Sequence, residues 1–173
     1  MYDDDKFINA FANRVQQYNP ETYDHIIMSY HGLPINHVEE SHNDKSCESI
    51  GCNHKRDENN EFCYLASCYE TSRLLAKKLN LKNEDYTVSF QSRLSKNWIK
   101  PFTDEVAKEK LTQGEKRILV ISPAFVGDCL ETIHELGHEL KNDFEKNGGD
   151  ELTLVESLNN HPLWINALES LIR

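Results

Sequence analysis

Four short stretches rich in β-branched and apolar residues punctuate the chain, at His25 to Tyr30, Tyr86 to Gln91, Arg117 to Ser122 and Leu152 to Glu156. Each has strand length, and their apolar character is nearly continuous. Between them run longer segments in which apolar residues recur at helical spacing: Cys63 to Leu79, Phe102 to Leu111 and Cys129 to Lys146. Lys6 to Gln17 precedes the first strand and Pro162 to Ile172 follows the last. This alternation predicts a doubly wound α/β fold, a mainly four-stranded parallel sheet flanked by helices. Parallel strands need crossover connections and are buried on both faces, which accounts for strands without a polar side.

In such sheets ligands bind beyond the carboxyl ends of the strands. The segments there are Ser29-Tyr30-His31-Gly32-Leu33-Pro34, Gln91-Ser92-Arg93, Ser122 to Asp128, and Ser157 to Pro162. No G-x-G-x-x-G or Walker-type loop follows any strand, so the phosphate cradle of nucleotide-binding relatives is missing. His31, at a strand end before a Gly-x-Pro turn, has the chemistry of a proton acceptor near neutral pH; the plain alternative is a turn histidine bonded to backbone. Trp98, Pro101 and Phe102 follow the second strand, where an aromatic ring either lies against a flat ligand or packs as core or lid.

Carboxylates recur at Glu131, Glu135 and Glu139, with His134 and His138 alongside. Spaced by four on a helix, they form one line of like charges, which repel unless a cation or shared protons relieve them. Oxygen and imidazole donors suit a divalent ion such as iron, and a row of them can pass a hydrated ion along; the competing reading is an acidic, solvated helix face.

Composition agrees with a small cationic partner. Acidic residues outnumber basic ones 29 to 19 in 173 residues, and the pI is about 5.2, which argues against nucleic acid and against an anionic membrane. No apolar run approaches the length of a membrane span, and the N-terminus lacks the pattern of a secretory signal, so a cytoplasmic protein is expected. The length suits a single domain.

Four of the five cysteines fall within 22 residues, as Cys47-x4-Cys52-x10-Cys63-x4-Cys68, while Cys129 stands apart. They sit in or beside an inserted loop, about residues 41–68, whose first part is strongly polar. Such clustering in a reducing compartment favours a metal site over disulfides: zinc or an iron–sulfur cluster, with His54 as another conceivable donor, or else unligated thiols.

Five words of the sequence, in order, resemble ferrochelatases, the class I porphyrin metallochelatases. They are Ser29 to Pro34, Phe90 to Arg93, Trp98 to Glu105, Pro123 to Thr132 and Leu158 to Pro162, and together they cover nearly the whole chain. The resemblance implies insertion of ferrous iron into protoporphyrin IX or coproporphyrin III in heme biosynthesis, a lyase-type reaction. It implies His31 and Glu131 as the catalytic pair facing each other across the porphyrin, with both also handling the metal. Glu135 and Glu139 would deliver the ion, and Gln91, Ser92 and Trp98 would lie near the macrocycle. For Cys47, Cys52, Cys63 and Cys68 it implies a 2Fe-2S cluster, with zinc as the alternative. Some members carry histidine where Cys129 stands. Ferrochelatases are about twice as long, so residues 1–173 read as the C-terminal half, lacking the N-terminal half and expected to turn over little alone. A non-catalytic metal- or cluster-binding module is the competing reading.

Overall fold

The computed structural model describes residues 3–42 and 45–172. Its sheet has four parallel strands, β1 (His25–His31), β2 (Tyr86–Gln91), β3 (Arg117–Ile121) and β4 (Glu151–Leu154), in the order β2-β1-β3-β4. The helices are α1 (Asp5–Gln16), α2 (Ile35–Glu39), α3 (Cys47–Ile50), α4 (Tyr64–Leu79), α5 (Thr103–Thr112), a π-helix (Glu131–Leu140) continued by α6 (Lys141–Lys146), and α7 (Pro162–Ile172).

Both faces of the sheet are buried, as the apolar strands predict. Ile26, Met28, Tyr30, Leu119 and Ile121 face a core shared with Phe7 and Phe11 of α1, Leu75 of α4 and Trp164 of α7. Ile27, Ile118 and Val120, one residue out of phase, face a second core with Val106 of α5, Leu136 and Leu140 of the π-helix and Phe144 of α6. The α1 helix starts where the Asp4 carboxylate accepts the backbone N–H groups of Lys6 (2.9 Å) and Phe7 (3.1 Å). Its apolar stripe then packs on α4 and α7, with Phe7 edge-on to Trp164 at 5.7 Å. Asn80, in the left-handed conformation at φ 56°, ends α4 and turns the chain towards β2.

Two local features differ from the sequence expectation. The helix expected over Cys129 to Lys146 is a π-helix for its first ten residues, Glu131–Leu140, and α-helical only over Lys141–Lys146. A spacing of four lies slightly beyond one α turn and slightly short of an i→i+5 π turn, so the carboxylate pattern fits both ladders. The polar insert also contains a helical turn, α3 over Cys47–Ile50, whereas Cys68 lies in α4 as the helical spacing from Cys63 predicts.

The buried His25 ring bonds Thr87 Oγ1 through Nε2 at 2.9 Å, and burial first, then the Lys110 charge, lowers its pKa to about 4 from the usual 6.5. With the folded value below the unfolded one, its stabilising contribution is complete above pH 6.5 and is lost as pH falls towards 4, because the unfolded chain takes up the proton first. Urea midpoints should fall across that window, and His25→Gln should flatten the slope.

Candidate functional site

β1 and β2 end in register, His31 opposite Gln91, and the chain turns sharply after each. Gly32 donates its N–H to the Gln91 carbonyl at 2.8 Å, so close that a Cβ on Gly32 would lie 2.7 Å from that oxygen and 3.1 Å from the Trp98 ring. The segment after Gly32 pairs with the one carrying Trp98: Ile99 N–H donates to the Leu33 carbonyl and Ile35 N–H to that of Asn97, both at 2.9 Å. This brings the His31 ring within 6.4 Å of Trp98, and Phe125, from the segment after β3, approaches it to 6.3 Å.

The tautomer of His31 follows from one contact. Its Nδ1 lies 2.6 Å from the Gly32 carbonyl oxygen, which can only accept, so Nδ1 carries the proton and Nε2 of the neutral ring keeps a free lone pair. The Tyr64 hydroxyl fixes the backbone beneath by donating to the His31 carbonyl at 2.8 Å.

Gln91 is oriented by a buried hydroxyl network. Ser29 donates to Gln91 Oε1 at 2.8 Å and meets Thr103 at 2.9 Å, and Thr103 also meets Ser89 at 2.9 Å. The Gln91 amide then donates to the Glu131 carbonyl at 2.8 Å, tying the end of β2 to the start of the π-helix. Ser92, at φ 60°, turns its hydroxyl onto Glu135 Oε2 at 2.5 Å. The Glu131 carboxyl is held below its ordinary 4.5 by its own backbone N–H, then by Cys129 and by the neighbouring His31.

A cavity of about 710 Å³ opens at this edge. His31, Gln91, Ser92 and Trp98 line it from the strand side, and Glu131, Glu135 and Glu139 line it from the π-helix, so all seven residues picked out for this edge in the sequence share one space. His134 and His138 do not line it; they are exposed, and His134 lies 3.4 Å from Glu139 Oε1. The lining also includes Arg93, Thr103 and Asp104, which the sequence placed in its motifs without assigning them to the site, and Asp143, which it did not single out. Arg93 grips Asp104 with both guanidinium nitrogens and stacks over Phe102 at 4.1 Å; the Phe102-Thr103-Asp104 word was the available signal.

The cysteines gather elsewhere. Ligand atoms of Cys47, Cys52, Cys63 and His42 all lie within 4.8 Å of one another, and all four residues are buried. The x4 spacing of the first pair is explained by α3, a single turn closed by Gly51 at φ 75°: Cys52 N–H reaches back to the Cys47 carbonyl at 3.1 Å and Gly51 N–H to that of Glu48 at 3.1 Å, a Schellman turn that returns Cys52 beside Cys47. Cys63 opens α4, where free amides and the positive helix end favour a thiolate; its thiol is lowered first by the hydrogen bond with Cys47, whose own thiol the same contact raises. Cys68 stands outside the four-residue group, buried on the first part of α4. His54 is exposed and is also outside it; His42, not singled out in the sequence, takes the fourth position.

Fold and cavity together define an α/β domain with a cavity beyond the carboxyl ends of its parallel strands. The ferrochelatase family model matches residues 1–173, and the chain belongs to that family. It is 43% identical over 173 residues to a ferrochelatase of Legionella pneumophila (strain Lens), covering 99% of this chain and 51% of the relative. To a ferrochelatase of Coxiella burnetii (strain Dugway 5J108-111) it is 39% identical over 175 residues, covering 98% and 48%. The chain thus spans about half the length of the curated relatives it matches.

Gly32→Ala should cost about 1–3 kcal/mol through the clash with the Gln91 carbonyl and Trp98. Urea denaturation followed by tryptophan emission should show a lowered midpoint and an altered native signal from Trp98.

Proposed function

We propose that this chain supplies the proton-accepting and iron-delivering wall of a ferrochelatase, which inserts ferrous iron into a porphyrin, protoporphyrin IX or coproporphyrin III, in heme biosynthesis. The observation that carries the reading is one cavity bounded by the His31 imidazole on one side and the Glu131, Glu135 and Glu139 carboxylates on the other. Insertion exchanges two pyrrole N–H protons for one Fe²⁺ ion, so it needs a base and exchangeable oxygen ligands. His31 Nε2, with Nδ1 bonded to Gly32, accepts a pyrrole proton. Glu139 and Glu135 draw the hydrated ion inward and shed its waters stepwise towards Glu131, which its low pKa keeps ionised at neutral pH. Ser92 occupies one oxygen of Glu135 and leaves the other for the ion.

Trp98 lies against the macrocycle, and Gln91 acts through its grip on the Glu131 backbone. The N-terminal half of the family's length closes the opposite side of the cleft, so the 173 residues alone should show little turnover. No helix among the described residues is long and apolar enough to cross a membrane; the cytoplasm is the proposed compartment. The cysteine segment takes no part in the insertion step, and the 2Fe-2S cluster implied by the resemblance would require Cys68 as its fourth ligand.

A second reading, a non-catalytic metal-binding module, draws on the buried Cys/His group and on the Glu139 side chain being 65% exposed, as on a solvated face. One substitution separates the two. In a polypeptide extended to the length of the relatives, His31→Ala should lower iron insertion by about 10²- to 10⁴-fold with circular dichroism and porphyrin binding unchanged. Unchanged rates would favour the module. In the same protein Glu135→Gln should raise the KM for Fe²⁺ several-fold more than it lowers kcat.

A further inference from the structure

The buried group in the insert has the dimensions of a site for one ion. A tetrahedral ion with bonds of about 2.3 Å to sulfur and about 2.0–2.1 Å to nitrogen sets its sulfurs about 3.8 Å apart and its sulfur and nitrogen donors about 3.6 Å apart. Cys47 Sγ lies 3.8 Å from Cys63 Sγ, and His42 Nε2 lies 3.5 Å from Cys47 Sγ and 3.4 Å from Cys52 Sγ. A two-iron cluster divides four protein ligands into pairs on separate irons, so it cannot keep all four donors as close to one another as a single ion does.

We propose that His42, Cys47, Cys52 and Cys63 bind one divalent ion of the zinc type, with His42 rather than Cys68 as the fourth ligand. Three thiolates and one imidazole form a closed structural set, with no position left for a reacting water. The surroundings suit it. Asn60, 2% exposed, is held by the Lys55 carbonyl at 2.9 Å and the Asp57 N–H at 2.8 Å, and it points its amide at Cys52 Sγ at 3.8 Å, the kind of donor that supports a ligating sulfur. Backbone hydrogen bonds hold the donors in place: the Schellman turn after α3 pairs Cys47 with Cys52, and Cys63 N–H donates to the Asn60 carbonyl at 3.0 Å. Cys68 instead packs as a core thiol on α4, 3% exposed and outside the group of four. The assignment rests on these residues alone and stands or falls separately from the porphyrin reading.

The test is metal binding by the 173-residue chain, using Zn²⁺ and Co²⁺ alone as probes. One equivalent should bind. X-ray absorption at zinc should show three sulfur neighbours, one nitrogen neighbour and no second metal. The Co²⁺ form should show thiolate charge-transfer bands and the strong ligand-field bands of a tetrahedral ion. Cys68→Ser should leave stoichiometry and spectrum unchanged, and Asn60→Ala should weaken Co²⁺ binding by about 10- to 100-fold. His42→Ala removes a ligand outright and should weaken it more than Asn60→Ala does, while His42→Cys, which restores a fourth donor, should recover one-ion binding with ligand-field bands at lower energy. Two irons and two sulfides per chain, lost in Cys68→Ser and kept in His42→Ala, would overturn the proposal.

Discussion

The site depends on the parallel register that ends β1 and β2 together, with His31 opposite Gln91. Parallel strands deliver their last residues to one edge, so an imidazole from one crossover and an amide from the next meet without either loop having to be long. The close approach at Gly32 then clamps the two ends, because a hydrogen bond from its N–H to the Gln91 carbonyl leaves no room for a side chain. Everything else at the cavity is positioned from that clamp. The turn after His31 carries the pairing that holds Trp98, and Gln91 reaches the π-helix through the Glu131 carbonyl.

The π-helix matters for the same reason. Wide turns of this kind are uncommon and concentrate at functional sites. Here the helix docks Leu136 and Leu140 in the second core while Glu131, Glu135 and Glu139 line the cavity. Each of the three aligned carboxylates has a local partner: Ser92 at Glu135, backbone N–H and Cys129 at Glu131, and His134 at 3.4 Å from Glu139.

The cysteine site and the cavity are mechanically connected. Tyr64 follows Cys63 directly, and its hydroxyl donates to the His31 carbonyl, so one phenol joins the start of α4 to the end of β1.

By itself the sequence determined the alternation of strands and helices, the parallel sheet buried on both faces, and the edge where polar residues collect, because apolar periodicity and strand-end position are local properties of the chain. The five words, read as a family resemblance, marked His31, Gln91, Ser92, Trp98 and Glu131, the four-residue spacing added Glu135 and Glu139, and all of them line one cavity. Tertiary structure alone decided the rest. A π and an α ladder fit the same four-residue spacing, so the spacing alone does not choose between them. The buried network of Ser29, Ser89 and Thr103 joins residues far apart in sequence, and hydroxyls carry no pattern that announces such a partnership. Cysteine spacing invited a four-thiolate set, but which donors share a centre depends on where a one-turn helix and its Schellman glycine bring the chain back. That return puts His42 beside three thiols and leaves Cys68 in the core.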